Sequence, residues 1–246
     1  RDRTMKHVFA AALGAASLMS LPVHAQTGPA GELEAFEAAL GRAVAQDNDA
    51  DWRFLLTFIG SAGEIVARFD GAQPESDRWT LVSPLEADLT EEQRAIWDDV
   101  ITSDDDEEDE GGLFFDSEDA LFLPGTVNLH LQDADDVTYR FQPQLDADSE
   151  EDAAFAEYLR GEITVGRSEP GVRHLRLYAP ESFKPNFAIR VNRFELEQEF
   201  AEMADLPAPV LVRITQNIEG SAAFQTFQEG FEIGFSEIEY LGNAAR

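Results

Sequence analysis

Few residues in this chain have the chemistry for catalysis. It contains no cysteine, so disulfides, thiol nucleophiles, iron–sulfur clusters and thiolate zinc sites are excluded. Beyond residue 25 the only histidines are His130 and His174. His130 alternates with Leu129 and Leu131, and His174 sits between Arg173 and Leu175 with Arg176 beyond. Both patterns predict side chains that point away from the core, as surface or rim histidines; a metal ligand or general base is the competing role for each. Gly60-Ser61-Ala62-Gly63 lacks the Gly-x-Ser-x-Gly spacing of a nucleophile elbow and reads as a hairpin turn. No Gly-x-Gly-x-x-Gly loop or Walker sequence is present. Carboxylates are so abundant that a two-carboxylate hydrolase remains a minor reading that no particular pair favours. The expectation is a protein without catalytic or cofactor-binding residues, and more an interaction protein than an enzyme.

Hard oxygen ligands are the one chemistry in excess. Asp104, Asp105, Asp106, Glu107, Glu108, Asp109 and Glu110 follow one another without interruption. Counted as a calcium loop from Asp106, the run places Gly111 sixth but Ser117 twelfth, where a bidentate Glu is required; Glu118 comes one residue late. Asp47, Asp49 and Asp51 are also spaced by two, yet Trp52 stands where a turn glycine is needed. Both segments are expected to be solvated charge rather than metal sites, with weak cation contact along Asp104–Glu110 as the alternative. A carboxylate run buries no apolar area, so residues 103–112 are expected to form a mobile loop.

The net charge is −31, from 18 basic and 49 acidic residues. Such a field repels phosphate backbones and anionic lipid surfaces, so nucleic acid is not an expected partner. Met5-Lys6-His7, an apolar run from Val8 to Leu21 and Pro22-Val23-His24-Ala25 have the layout of a cleavable signal peptide. Cleavage between Ala25 and Gln26 is expected, with export to the periplasm as a soluble chain. No integral membrane span is expected in the mature protein, and no cysteine follows the cut to carry a lipid.

Residues 26–246 read as one β-rich domain. Leu33, Phe36, Leu40 and Val44 are spaced as an amphipathic helix within Glu32–Gln46. Strand patterns follow over Trp52–Ile59, Glu64–Asp70 and Asp77–Ser83. Thr90 and Gln93 make a capping box before a helix carrying Ile96, Trp97, Val100 and Ile101. Further strands are predicted over Ala120–Leu123, Thr126–Gln132, Asp136–Gln142, Glu162–Gly166 and Val172–Ala179. Phe187–Phe194, Val210–Asn217, Ala222–Phe227 and Phe231–Leu241 complete the set. A helix capped by Ser149 carries Phe155, Tyr158 and Leu159, and Glu195–Ala204 fits helix and strand equally. The expected fold is β-dominated α+β: one curved, half-barrel-like antiparallel sheet of about nine to eleven strands, with three or four amphipathic helices packed on it.

Leu33–Val44 as opening helix, Trp52-Arg53-Phe54-Leu55-Leu56-Thr57-Phe58 as first strand, Gly63–Phe69 as second and Asp77-Arg78-Trp79-Thr80-Leu81 as third resemble the layout of the periplasmic lipoprotein-carrier family. The Arg-Pro pair that often precedes the Trp strand in carriers is absent here; Arg68 is followed by Phe69 and Arg78 by Trp79. The resemblance implies a half-barrel with helices on its concave side, and a lipid, acyl chain or lipidated envelope protein as partner. The alternative is a periplasmic structural or interaction protein with a packed core and an acidic partner- or cation-binding surface. The 18 Phe, 3 Trp and 4 Tyr serve either: they line a cavity or fill it.

Overall fold

The computed structural model describes residues 34–44, 51–102, 112–115, 122–123, 125–144, 155–169, 171–204, 206–222 and 225–242. Two helices, α1 (Glu34–Val44) and α2 (Glu91–Thr102), accompany ten strands. The strands are β1 (Asp51–Gly60), β2 (Gly63–Asp70), β3 (Trp79–Ser83), β4 (Asn128–Gln132), β5 (Asp136–Phe141), β6 (Arg160–Gly166), β7 (Val172–Tyr178), β8 (Ile189–Ala201), β9 (Val210–Ala222) and β10 (Gln225–Gly242). They form one open, curved antiparallel sheet in the order β3-β2-β1-β10-β9-β8-β7-β6-β5-β4. The chain lays down β1 to β3 first, and β10 returns at the end to pair with β1, so β3 and β4 become the two edges.

Alternation decides the faces. Trp52, Phe54, Leu56 and Phe58 of β1 are buried and face the same side as Ile65, Ala67 and Phe69 of β2, which oppose them in register. The same inner face carries Val137, Tyr139 and Phe141 of β5, Ile163 and Val165 of β6, and Leu175 and Leu177 of β7. Each such side chain, fully buried, contributes about 1.5–3 kcal/mol, which sets the register against one-residue slips. In β10 the alternation is interrupted by a bulge at Glu237, whose φ is 51°. Both Ser236 and Glu237 consequently turn outward, and Phe235 and Ile238 both stay on the inner side.

The sequence predicts the capping box of α2, and it forms. The Gln93 N–H donates to Thr90 Oγ1 at 3.2 Å and the Thr90 N–H to Gln93 Oε1 at 3.1 Å. Gln93 is itself buried and donates from Nε2 to the Glu64 carbonyl at 3.3 Å, which docks α2 beside the β1–β2 hairpin.

Two expectations are corrected. Only two helices occur among the described residues, fewer than the three or four expected. Glu195–Ala204 does not supply one: through Ala201 it belongs to β8, with Glu195, Glu197 and Glu199 facing the arginines of β7 and β9 and Leu196 and Phe200 facing inward. The Ser149 cap lies outside the described residues, and the helix expected after it is a single turn at Phe155–Ala156 where the chain is described. The three strands expected over 210–241 are two long ones, β9 and β10. Gly220 and Gly230 look like breaks in the sequence but are cross-strand packing positions. A Cβ on Gly220 would lie 2.5 Å from Phe227 Cζ, because the Phe227 ring from the paired position covers the glycine.

Candidate functional site

Two aromatic clusters divide the inner face. One joins α1 to β5 through β8: Phe36 and Ala39 of α1 pack with Tyr139, Phe141, Ile163 and Val172. Phe36 meets Phe122 edge-on at 5.3 Å and Tyr139 at 5.3 Å. Arg42 ties down the end of this helix, donating from Nε to the Pro207 carbonyl at 2.8 Å and pairing with Glu202 at 3.0 Å. The other cluster lies on β1, β2, β9 and β10 and is closed by Leu113 and Phe114, with Phe114 bridged to Val210. At the junction of the two clusters is a shallow cleft of about 10 Å³, about the space of one water molecule, lined by Ala39, Arg42, Phe115, Val172 and Pro209.

The second cluster grows less buried toward β3 and the end of β10. Phe54 stacks on Phe69 at 4.9 Å, Phe69 meets Trp79 at 4.9 Å, and Phe54 meets Phe235 at 5.4 Å. Trp79, Leu81, Phe235, Ile238 and Tyr240 are only partly buried. Trp52, fully buried between Phe114 and Tyr240, has an indole N–H with no acceptor among the described residues. A buried donor left unpaired costs about 1–3 kcal/mol.

The outer face is ionic. Glu162 accepts from Arg140 at 2.7 Å and from the Tyr178 hydroxyl at 3.1 Å, with Arg176 at 3.6 Å. Arg176 also pairs with Glu195 and with Glu197, and lies over the Tyr178 ring at 4.5 Å. Arg193 continues the chain from Glu195 to Glu219. Burial pushes the Glu162 carboxyl up, but the bonds from Arg140 and Tyr178 outweigh it and hold the group below its ordinary range. Glu195 behaves alike: burial raises it, and Arg193 and Arg176 lower it further. Burial and the neighbouring Glu162 raise Tyr178. Two carboxylates kept ionised with a guanidinium between them provide neither the protonated acid nor the free base of a hydrolase pair.

His130 is on this outer face, where its Nε2 accepts from Arg140 at 2.9 Å and lies 3.7 Å from Glu162. His174 is opposite Thr164 and Glu199 in the register, also outward. The two histidines stand on different strands of a salt-bridge lattice. Ser61 is at the tip of the β1–β2 hairpin and donates to Glu92 at 3.1 Å. Asp104–Glu110, Ala25 and Gln26 lie outside the described residues. Among the described residues no cluster of three or more His, Asp or Glu could hold a metal ion, and no helix is long and apolar enough to cross a membrane. The outer lattice was not foreseen from the sequence; its signal is Arg193, Glu195, Glu197 and Glu199 at every second position of β8. Comparison of the chain with protein-family models, with curated proteins and with solved structures finds no match.

Proposed function

We propose that this protein is an exported, non-enzymatic periplasmic binding protein that takes a lipid, an acyl chain or a hydrophobic segment of an envelope partner against the inner face of its sheet. The observation that carries this reading is the aromatic surface of Phe54, Phe69, Trp79, Phe235 and Tyr240, which runs from the core to partly exposed positions on one face of an open sheet. Among the described residues, principal helix packing is confined to α1 over β5–β7 and α2 beside β2. The resemblance to lipoprotein carriers supports the same reading.

Native mass spectrometry and lipid extraction of the purified protein test it. Co-purifying lipid, or saturable uptake of an environment-sensitive acyl probe, is the expected result. Neither being observed would overturn the proposal.

One observation favours the alternative. The α1 half is close-packed, and the cleft beside it, at about 10 Å³, has room for about one water molecule and none for an acyl chain. A structural role with an acidic interaction surface then predicts envelope partners retained at low salt and lost at high salt, with no dependence on lipid.

A further inference from the structure

We propose that β4 is a docking edge, to which an extended basic segment of a partner protein adds as a further strand of the sheet. β4 pairs with β5 alone, from Asn128 opposite Arg140 to Gln132 opposite Val137. Among the described residues, no main-chain group pairs with its other side. All five residues are exposed, Leu131 to 61% and Leu129 to 37%. Edge strands are ordinarily protected by charge, proline, a covering loop, short length or a bulge, and among the described residues β4 has only the last two. Asn128-Leu129-His130-Leu131-Gln132 has neither charge nor proline, in a chain that is 27% charged. The opposite edge is different: β3 runs directly into Pro84 and is flanked by 3₁₀ turns at Glu75–Asp77 and Glu86–Asp88.

Charge selects the occupant. A second copy would bring its own −31 to the edge. The register shift between Leu129 and Leu131 leaves Leu129 on the inner side opposite Tyr139 and turns Leu131 to the outer side opposite Thr138. The His130 side chain, at that shift, is drawn to the outer face by Arg140. Beyond the end of β4, the tight turn Asp133–Asp136 carries three aspartates. Asp136 faces Arg173 at 3.3 Å. Asp133 accepts the N–H groups of Asp135 and Asp136 at 2.9 and 2.8 Å, which hold its carboxyl ionised. Arg167 donates to the Asp133 carbonyl, and Arg140 is committed to Glu162. The Arg167 charge also acts on the Asp133 carboxylate, so it is Asp135 that leaves negative charge at the end of an apolar edge. A strand with alternating apolar and basic residues meets both: main-chain hydrogen bonds to β4, apolar side chains beside Leu129 on the inner side with the basic ones on the outer side, and a cation at Asp135.

The test uses the full chain and a labelled peptide of roughly ten residues alternating Val and Lys, at physiological ionic strength. Its control is the same peptide N-methylated at every second residue, which keeps charge and side chains but cannot complete the ladder. Saturable binding, slowed amide exchange over residues 128–132, and about tenfold or greater weakening on N-methylation are expected. L131K places a cation on the edge and should weaken binding similarly. D135N, which leaves the strand intact, should weaken it less, by about two- to fivefold. Equal binding of both peptides without protection of 128–132 would mean mere adhesion of a polycation to an acidic surface, and would overturn the proposal. Concentration-dependent dimerisation that protects 128–132 without peptide would overturn it in favour of a second copy.

Discussion

Gly161→Ala is the sharpest probe of how the α1 half of the sheet is packed. Gly161 on β6 is paired with Phe141 on β5, and the Phe141 ring lies across it. An added Cβ would stand 2.0 Å from Phe141 Cζ, 2.2 Å from Cε2 and 2.5 Å from Cε1. Ordinary carbon contacts begin at about 3.5 Å, so the ring must retreat by about 1.5 Å. It has little room, being 2% exposed and held edge-on by Phe122 at 4.4 Å. Overpacking of this kind costs about 1–3 kcal/mol, and the entropic gain of Ala over Gly in the unfolded chain returns up to about 1 kcal/mol. The expected loss is therefore about 1–2 kcal/mol, a fall in Tm of roughly 2–8 °C for a chain of this size. Urea unfolding measures it, with an unchanged slope showing that the unfolded state is not the cause. F141L supplies the control: with the ring gone, Ala at 161 should cost much less, giving a coupling of about 1 kcal/mol in the double-mutant cycle. A stable G161A protein, or additive single and double mutants, would refute the packing argument.

Two further outcomes concern the outer lattice and the α1 tie. Arg176→Met leaves Glu162, Glu195 and Glu197 without their shared guanidinium; we expect a loss of about 1–2 kcal/mol at neutral pH, between the values for surface and buried pairs. Because Glu162 and Glu195 have depressed folded pKa values, their stabilisation is full above the ordinary glutamate value of about 4.3 and is lost as pH falls through the lower folded values. The wild-type advantage over R176M should accordingly shrink in that acid range; a pH-independent difference in urea midpoints would count against the lattice. Arg42→Ala removes the ties to Glu202 and Pro207 and should cost about 1 kcal/mol, with faster amide exchange in α1 than in β1 or β10; uniform exchange across the chain would contradict it.

The elements legible in the linear chain are those whose signals are local. Thr90 and Gln93 announce the start of α2 because a capping box needs only backbone three residues away. Trp52, Phe54, Leu56 and Phe58 announce β1 because alternation records a half-buried strand whatever lies beneath it. The absence of cysteine limits the chemistry without any structure. Pairing across the sheet settled the remainder. Glu195–Ala201 became a strand because Arg176 and Arg213 on the neighbouring strands answer its glutamates, and a one-dimensional pattern does not contain its partners. Gly220 and Gly230 failed to end strands because the rings and carbonyls that occupy their missing side-chain volume come from across the sheet. The uncharged stretch Asn128–Gln132 became an edge only because β10 returns to β1, which leaves β4 at the far end with one neighbour. Strand order is a matter of contacts between residues distant in the chain, and those contacts made β4 an exposed surface and Glu162 the centre of an ionic lattice.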